Sequence, residues 1–271
     1  MKKILMLISL VSITILNSKA QVKEGVITYE RKINMYKRIQ DEEMKAMMPE
    51  FRISKHLLLF SDSTSIYKAV PEDESPDPFD GGNGGGMRMG FKMPGDGGEI
   101  YKNYATGVQV EQTELFSKTF IINDSIKKQA WKLTGETKKV LGHNCFKAVA
   151  KQTMKIAGGM FKRRGSENDT AANKPPELKE VTVDLAAWFA EDIMSPVGPE
   201  NNGGLPGAIL MLDVNNGETL FTATEIKPTV NKKDIKQPTK GKKVTREEYR
   251  TTIKEMMQNF GPPGGGRHRE D

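Results

Sequence analysis

The sequence predicts a mainly β protein: a single domain of curved antiparallel sheet, with one or two short helices and long flexible loops. Three observations predict it. Short runs alternating apolar and polar residues recur along the chain with turn residues between them, the pattern of strands buried on one face. Only two stretches carry apolar residues at helical spacing. Two further stretches are too rich in Gly, Pro and polar residues to bury a core.

Residues 1–20 read as a cleavable export signal. Lys2 and Lys3 form the basic start, residues 4–16 an apolar run, and Ser18-Lys19-Ala20 places small residues at the cleavage positions. The run holds thirteen residues, short of the roughly 20 that a spanning helix needs. No later segment is long and apolar enough to span. The mature chain is therefore expected to begin near Gln21, to be soluble, and to lie in the periplasm, at the outer membrane or outside the cell. The only cysteine is Cys145, so no cysteine stands at the cleavage point to carry a lipid anchor. Without the leader's three lysines the formal charge falls from +6 to +3, too mild a charge to point to nucleic acid.

Residues 25–35 alternate and are rich in β-branched side chains, which predicts the first strand. Residues 41–48 carry Met44, Met47 and Met48 at helical spacing before Pro49, a short helix or helical turn. Residues 52–70 read as a hairpin about a Ser61-Asp62-Ser63 turn. The stretch 71–98 then holds nine glycines and four prolines, a flexible insertion.

Strand patterning resumes at 99–106, 109–116 and 118–122, and continues at 130–134, 136–140 and 145–153. Residues 157–178 form a second polar insertion. Residues 181–190 (VTVDLAAWFA) return to strand and enter a Pro/Gly-rich crossing. An apolar strand follows, folded back by an Asn216-Gly217 turn that sets the register of a hairpin. Leu210, Leu212 and Val214 share one face of it, with Leu220 and Ile226 available opposite. Residues 231–271 comprise a basic linker, an amphipathic helix over 245–260 and a disordered tail. Thr245 and Glu248 make a capping box, and Tyr249, Ile253, Met256, Met257 and Phe260 form one apolar face.

Three blocks of this sequence are shared with a known family. They are Leu141-Gly142-His143-Asn144-Cys145-Phe146-Lys147-Ala148, the strand from Trp188 to Ile193, and Gly198-Pro199 followed by Gly204-Leu205-Pro206-Gly207-Ala208-Ile209. On these blocks the chain resembles the GLPGLI family, exported bacteroidete proteins named after the motif and without an established biochemical function. The resemblance spans about residues 21–230. Ala208 replaces the usual Leu, Phe189 stands where Tyr is common, and Gly203 stands where an aromatic often precedes the motif. The strand layout is also similar to the half-open β-barrels of periplasmic lipoprotein carriers, an analogy of fold alone. The resemblance implies a binding role for the motif residues Trp188, Gly204, Leu205, Pro206 and Gly207, and supplies no catalytic residue.

Gly204-Leu205-Pro206-Gly207 suits a tight corner that drives Leu205 and Ile209 into the core. No helix start follows it, so the phosphate-loop logic fails. Glu191, Asp192 and Glu200 read as exposed acids at a strand end or as a pair in a cleft. Cys145 reads as a small buried hydrophobe, or as a thiolate paired with His143. His56, His143 and His268 are the only histidines, and none lies at metal-ligand spacing with another. Met87, Met89 and Met93 sit in an otherwise polar Gly-rich loop, where thioethers suit Cu(I) or an adaptable partner contact.

These readings converge on a non-enzymatic exported protein that binds a hydrophobic ligand or an outer-membrane or periplasmic protein, without a cofactor. Copper handling by the methionine loop, and a hydrolase using His143 with Cys145 or Glu191, are the alternatives.

Overall fold

The computed structural model describes residues 21–39, 42–71, 98–115, 117–157 and 178–260. The expected leader, the bulk of the insertions at 71–98 and 157–178, and the tail lie outside the described residues. In chain order the elements are β1 (Glu24–Asn34), α1 (Met35–Arg38), α2 (Glu42–Met47), β2 (Phe51–Ser61), β3 (Thr64–Ala69), β4 (Glu99–Asn103), β5 (Val108–Leu115) and β6 (Lys118–Ser125). Then come β7 (Lys132–Val140), β8 (His143–Ala157), β9 (Leu178–Ala190), β10 (Ala208–Val214), β11 (Thr219–Lys227), β12 (Lys242–Val244) and α3 (Arg246–Phe260).

All twelve strands share one sheet, in the order β12-β6-β5-β4-β3-β2-β1-β11-β10-β9-β8-β7. The first half of the chain meanders outward from β1 and the second half meanders back to it. Strand β1 is thus the seam. It pairs antiparallel with β2 from Glu24↔Ser61 to Asn34↔Phe51, and with β11 from Val26↔Lys227 to Ile33↔Thr219.

The sheet must curl. Strands β6 and β7 stand ten positions apart in it. In a flat sheet that is about 48 Å, yet residues 126–131 join them, and so short a link reaches at most about 25 Å. One face is therefore concave. Along β1 burial alternates strictly, with Ile27, Tyr29, Arg31 and Ile33 turned into the concave side. Register places Leu58, Phe60, Tyr67, Phe221, Leu212, Ala187 and Phe189 on the same face, and most of this set forms one continuous core.

The C-terminal part closes the far end. Thr245 N–H donates to Glu248 Oε2 (2.7 Å) and Glu248 N–H donates to Thr245 Oγ1 (3.2 Å), the expected capping box. Tyr249 stacks edge-on against Phe120, centroids 5.4 Å apart, beside Ile122 and Val244. Arg246 pins the helix start to Glu111 (2.7 Å) and Asp124 (3.4 Å).

Three local expectations need correcting. Residues 130–134 and 136–140 are not two strands but one, β7, whose register with β8 shifts between Leu133 and Thr137. Gly135 sits at that shift with φ +82°, so the bulge hid the continuity. The Asn216-Gly217 turn forms as expected, Glu218 N–H donating to the Asn215 carbonyl (3.3 Å), but it does not bring Leu220 onto the Leu212 face. The last rung is Val214↔Thr219, and Asn215, Asn216 and Gly217 all take positive φ. The register that this turn sets places Phe221, not Leu220, opposite Leu212. The basic linker also contributes a strand that periodicity did not show: β12, parallel to β6.

Candidate functional site

Residues 191–207 leave the sheet at the end of β9 and return at the start of β10, and in between they cross the concave face as a strap. Ile193, Val197 and Leu205 are buried in the main core, so this strap fills the hollow of the sheet with its own side chains. Its backbone is tied at both ends. Ala208 N–H donates to the Ile193 carbonyl (3.1 Å), Ile209 N–H to Val197 (3.0 Å) and Gly204 N–H to Pro196 (2.9 Å).

The two motif glycines have different jobs. Gly204 needs only its φ of +83°; a Cβ there would meet nothing within 4 Å. At Gly207 a Cβ would lie 2.0 Å from the Ala190 carbonyl oxygen. Glycine is required there because the strap docks directly on the β9 backbone. Just beyond, register shifts between Ile209 and Met211, and the Ile209 carbonyl accepts from the Tyr29 hydroxyl. Burial holds that phenol protonated, its pKa pushed far up, so it remains a donor.

A polar clamp grips the middle of the strap from distant parts of the sheet. Lys102 of β4 donates from Nζ to the carbonyls of Glu200 (2.7 Å) and Asn202 (3.3 Å). Gln109 of β5 donates to Asn201 Oδ1 (2.8 Å), and Trp131, just before β7, donates from Nε1 to the Gly203 carbonyl (2.9 Å). Arg31 of β1 lies 3.3 Å from Glu200 Oε1. Burial pushes the Lys102 amine down to about 7, with the Glu200 charge opposing that shift. On β2, His56 stacks on Tyr67, centroids 5.1 Å apart, and its Nε2 lies 3.0 Å from Ser54 Oγ.

The suggested nucleophile–base pair does not assemble. His143 Nδ1 lies 2.9 Å from Asp192 Oδ2, so the acid beside it is Asp192, while Glu191 is exposed. The Cys145 thiol is buried and donates to the His143 backbone carbonyl (3.7 Å), not to its ring. Burial first, then the Asp192 charge, push the thiol up to about 11. It stays a thiol at neutral pH and behaves as the small buried hydrophobe also expected for it.

The motif residues are divided by the fold. Leu205 is buried in the strap, and Gly204 and Pro206 are exposed on it. Trp188 pairs with Lys147 and Met211, on the sheet face opposite Phe189 and Ala187. There its ring carries Lys138 Nζ at 4.1 Å. Trp188 and the strap therefore do not form one binding site. Met87, Met89 and Met93 lie outside the described residues. Among those described, no group of three His, Cys, Asp or Glu side chains could hold a metal ion. Sequence reasoning missed Lys102, Gln109, Trp131 and Arg31, whose partners stand far off in the chain. The alternation around Lys102 shows that it shares a face with Ile100, but not which face is inner.

Residues 131–211 match the family model described as "Protein of unknown function (Porph_ging)". The matched range begins at the clamp residue Trp131, includes β7 to β9 and the whole strap, and ends inside β10. No curated protein matches the chain. Among solved structures it is similar to two of PNGF-II, in C2 and P21 space groups, at 15% and 14% identity and a TM-score of 0.50 for each. The match covers 85% of this chain but only 32% and 33% of theirs, so the chain spans about a third of their length. At that identity the likeness is one of fold.

Proposed function

We propose that this is an exported cell-envelope protein of the GLPGLI type that acts by binding a partner polypeptide rather than by catalysis or by carrying a lipid. The observation that carries the reading is the filled concave face. A carrier needs a hollow lined by apolar side chains, and here Ile193, Val197 and Leu205 occupy the middle of that hollow. The clamp on the strap supports the same reading, because Lys102, Gln109 and Trp131 spend their donors on the protein's own chain. Export rests on the leader-like residues 1–20. No helix among the described residues is long and apolar enough to cross a membrane.

The test is to express the full chain with its leader in a bacterium with an outer membrane, crosslink, purify, and analyse both the adducts and an organic extract. A discrete crosslinked envelope polypeptide without stoichiometric lipid is expected. Lipid recovered in a one-to-one ratio would return the protein to the carriers, and neither adduct nor lipid would sink the binding reading altogether.

A further inference from the structure

We infer that the free edge of β7 is a docking strip for an acidic, extended polypeptide segment that adds to the sheet as a further strand. The inference rests on the partner-binding reading and names its surface. Strand β7 ends the sheet: among the described residues β8 is its only strand neighbour. It is nine residues long, long enough to template another strand through its outward N–H and C=O groups.

The edge is strongly one-signed. Lys127, Lys128, Lys132, Lys138 and Lys139 fall within residues 127–139, and the only acid there is Glu136, which Lys147 neutralises at 2.9 Å. Lysines on an edge ordinarily guard it against pairing. Here they repel a second copy of β7 but attract an acidic strand, so the guard becomes a selector.

Exposed apolar side chains accompany the charge. Leu133 is 61% exposed and Phe146 36% exposed. Their rungs, Leu133↔Ala148 and Thr137↔Phe146, place them on one face of the β7–β8 ribbon, where an added strand's alternate side chains would cover them. Lys132 and Lys138 lie on the other face. A ladder, an apolar row and flanking cations together suit a polypeptide whose acidic and apolar residues alternate; a lipid headgroup would use only the cations.

The probe is a fluorescent peptide of about eight residues alternating Glu or Asp with Val or Leu, titrated into the mature chain. Controls are a Lys-for-acid peptide, the acidic peptide N-methylated at alternate residues, and phosphatidylglycerol vesicles. The acidic peptide should bind saturably and slow amide exchange across residues 132–140. Lys132→Glu with Lys139→Glu should weaken it by about tenfold or more, as should raising salt to about 0.5 M. Both positions are exposed, and circular dichroism checks that the variant is folded. Equal binding by the basic or N-methylated peptide, protection elsewhere, a change under about twofold in the variant, or vesicles binding as well as the peptide would overturn the inference. If the variant still crosslinks its envelope partner, the edge is wrong and the partner-binding reading stands. If the peptide binds as described but no envelope partner exists, the reverse holds.

Discussion

The two glycines of the strap motif offer a direct test of how it is held. In Gly207→Ala the new methyl would sit 2.0 Å from the Ala190 oxygen, 2.5 Å from its carbonyl carbon and 2.9 Å from Glu191 Cα. Reaching ordinary contact requires a backbone shift of about 1.4 Å. Every nearby atom is backbone, so no side chain can swing away. The shift would strain the bonds from Ala208 to Ile193 and from Ile209 to Val197, each contributing about 1 kcal/mol, on top of about 1–3 kcal/mol for overpacking. The expected loss is about 3–5 kcal/mol. Gly204→Ala meets open space and costs only its left-handed backbone, about 1–2 kcal/mol. In urea, with a slope of about 3 kcal/mol per molar, the midpoint for Gly207→Ala should fall roughly 0.8 M below that for Gly204→Ala. Tryptophan fluorescence and far-ultraviolet circular dichroism should agree on both transitions. Equal midpoints, or Gly204→Ala as the worse variant, would refute the close-approach argument.

Three further outcomes are expected. Between its folded pKa of about 7 and the ordinary 10.5, Lys102 is protonated in the unfolded chain but not in the folded one. Stability should therefore rise with pH, by roughly 1.5 kcal/mol from about pH 7 to 8.5. Lys102→Met should abolish that slope in urea titrations; an unchanged slope would show that Lys102 does not cause it. Leu205→Ala should lower stability by about 2–4 kcal/mol, measured the same way, and a loss under about 1 kcal/mol would mean that the strap does not pack as described. Cys145, buried and held as a thiol, should react with a disulfide reagent at about pH 8 far more slowly in the native chain than in urea. A fast native reaction would reopen the thiolate reading.

The β class and most strand positions were legible because alternation is local. Each of residues 25–35 reports its own side of the sheet, and the Thr245–Glu248 cap announces its helix three residues ahead. The motif 204–207 was legible as a tight corner for the same reason, since glycine and proline act on their own backbone. Strand order was not local. Nothing in residues 126–131 says that β6 and β7 end up ten strands apart and that the sheet must curl to let them join. The clamp was hidden likewise, because Lys102 meets Glu200 and Trp131 meets Gly203 only after the curl brings opposite ends of the sheet over one strap. Sequence alone determined most of the strands, the corners and the helix cap, through periodicity and backbone chemistry. Only the tertiary structure decided that the hollow is filled from within, that Trp188 faces away from the strap, and that β7 is an open edge among the described residues. Those outcomes depend on closure of the whole sheet, which no short window of residues encodes.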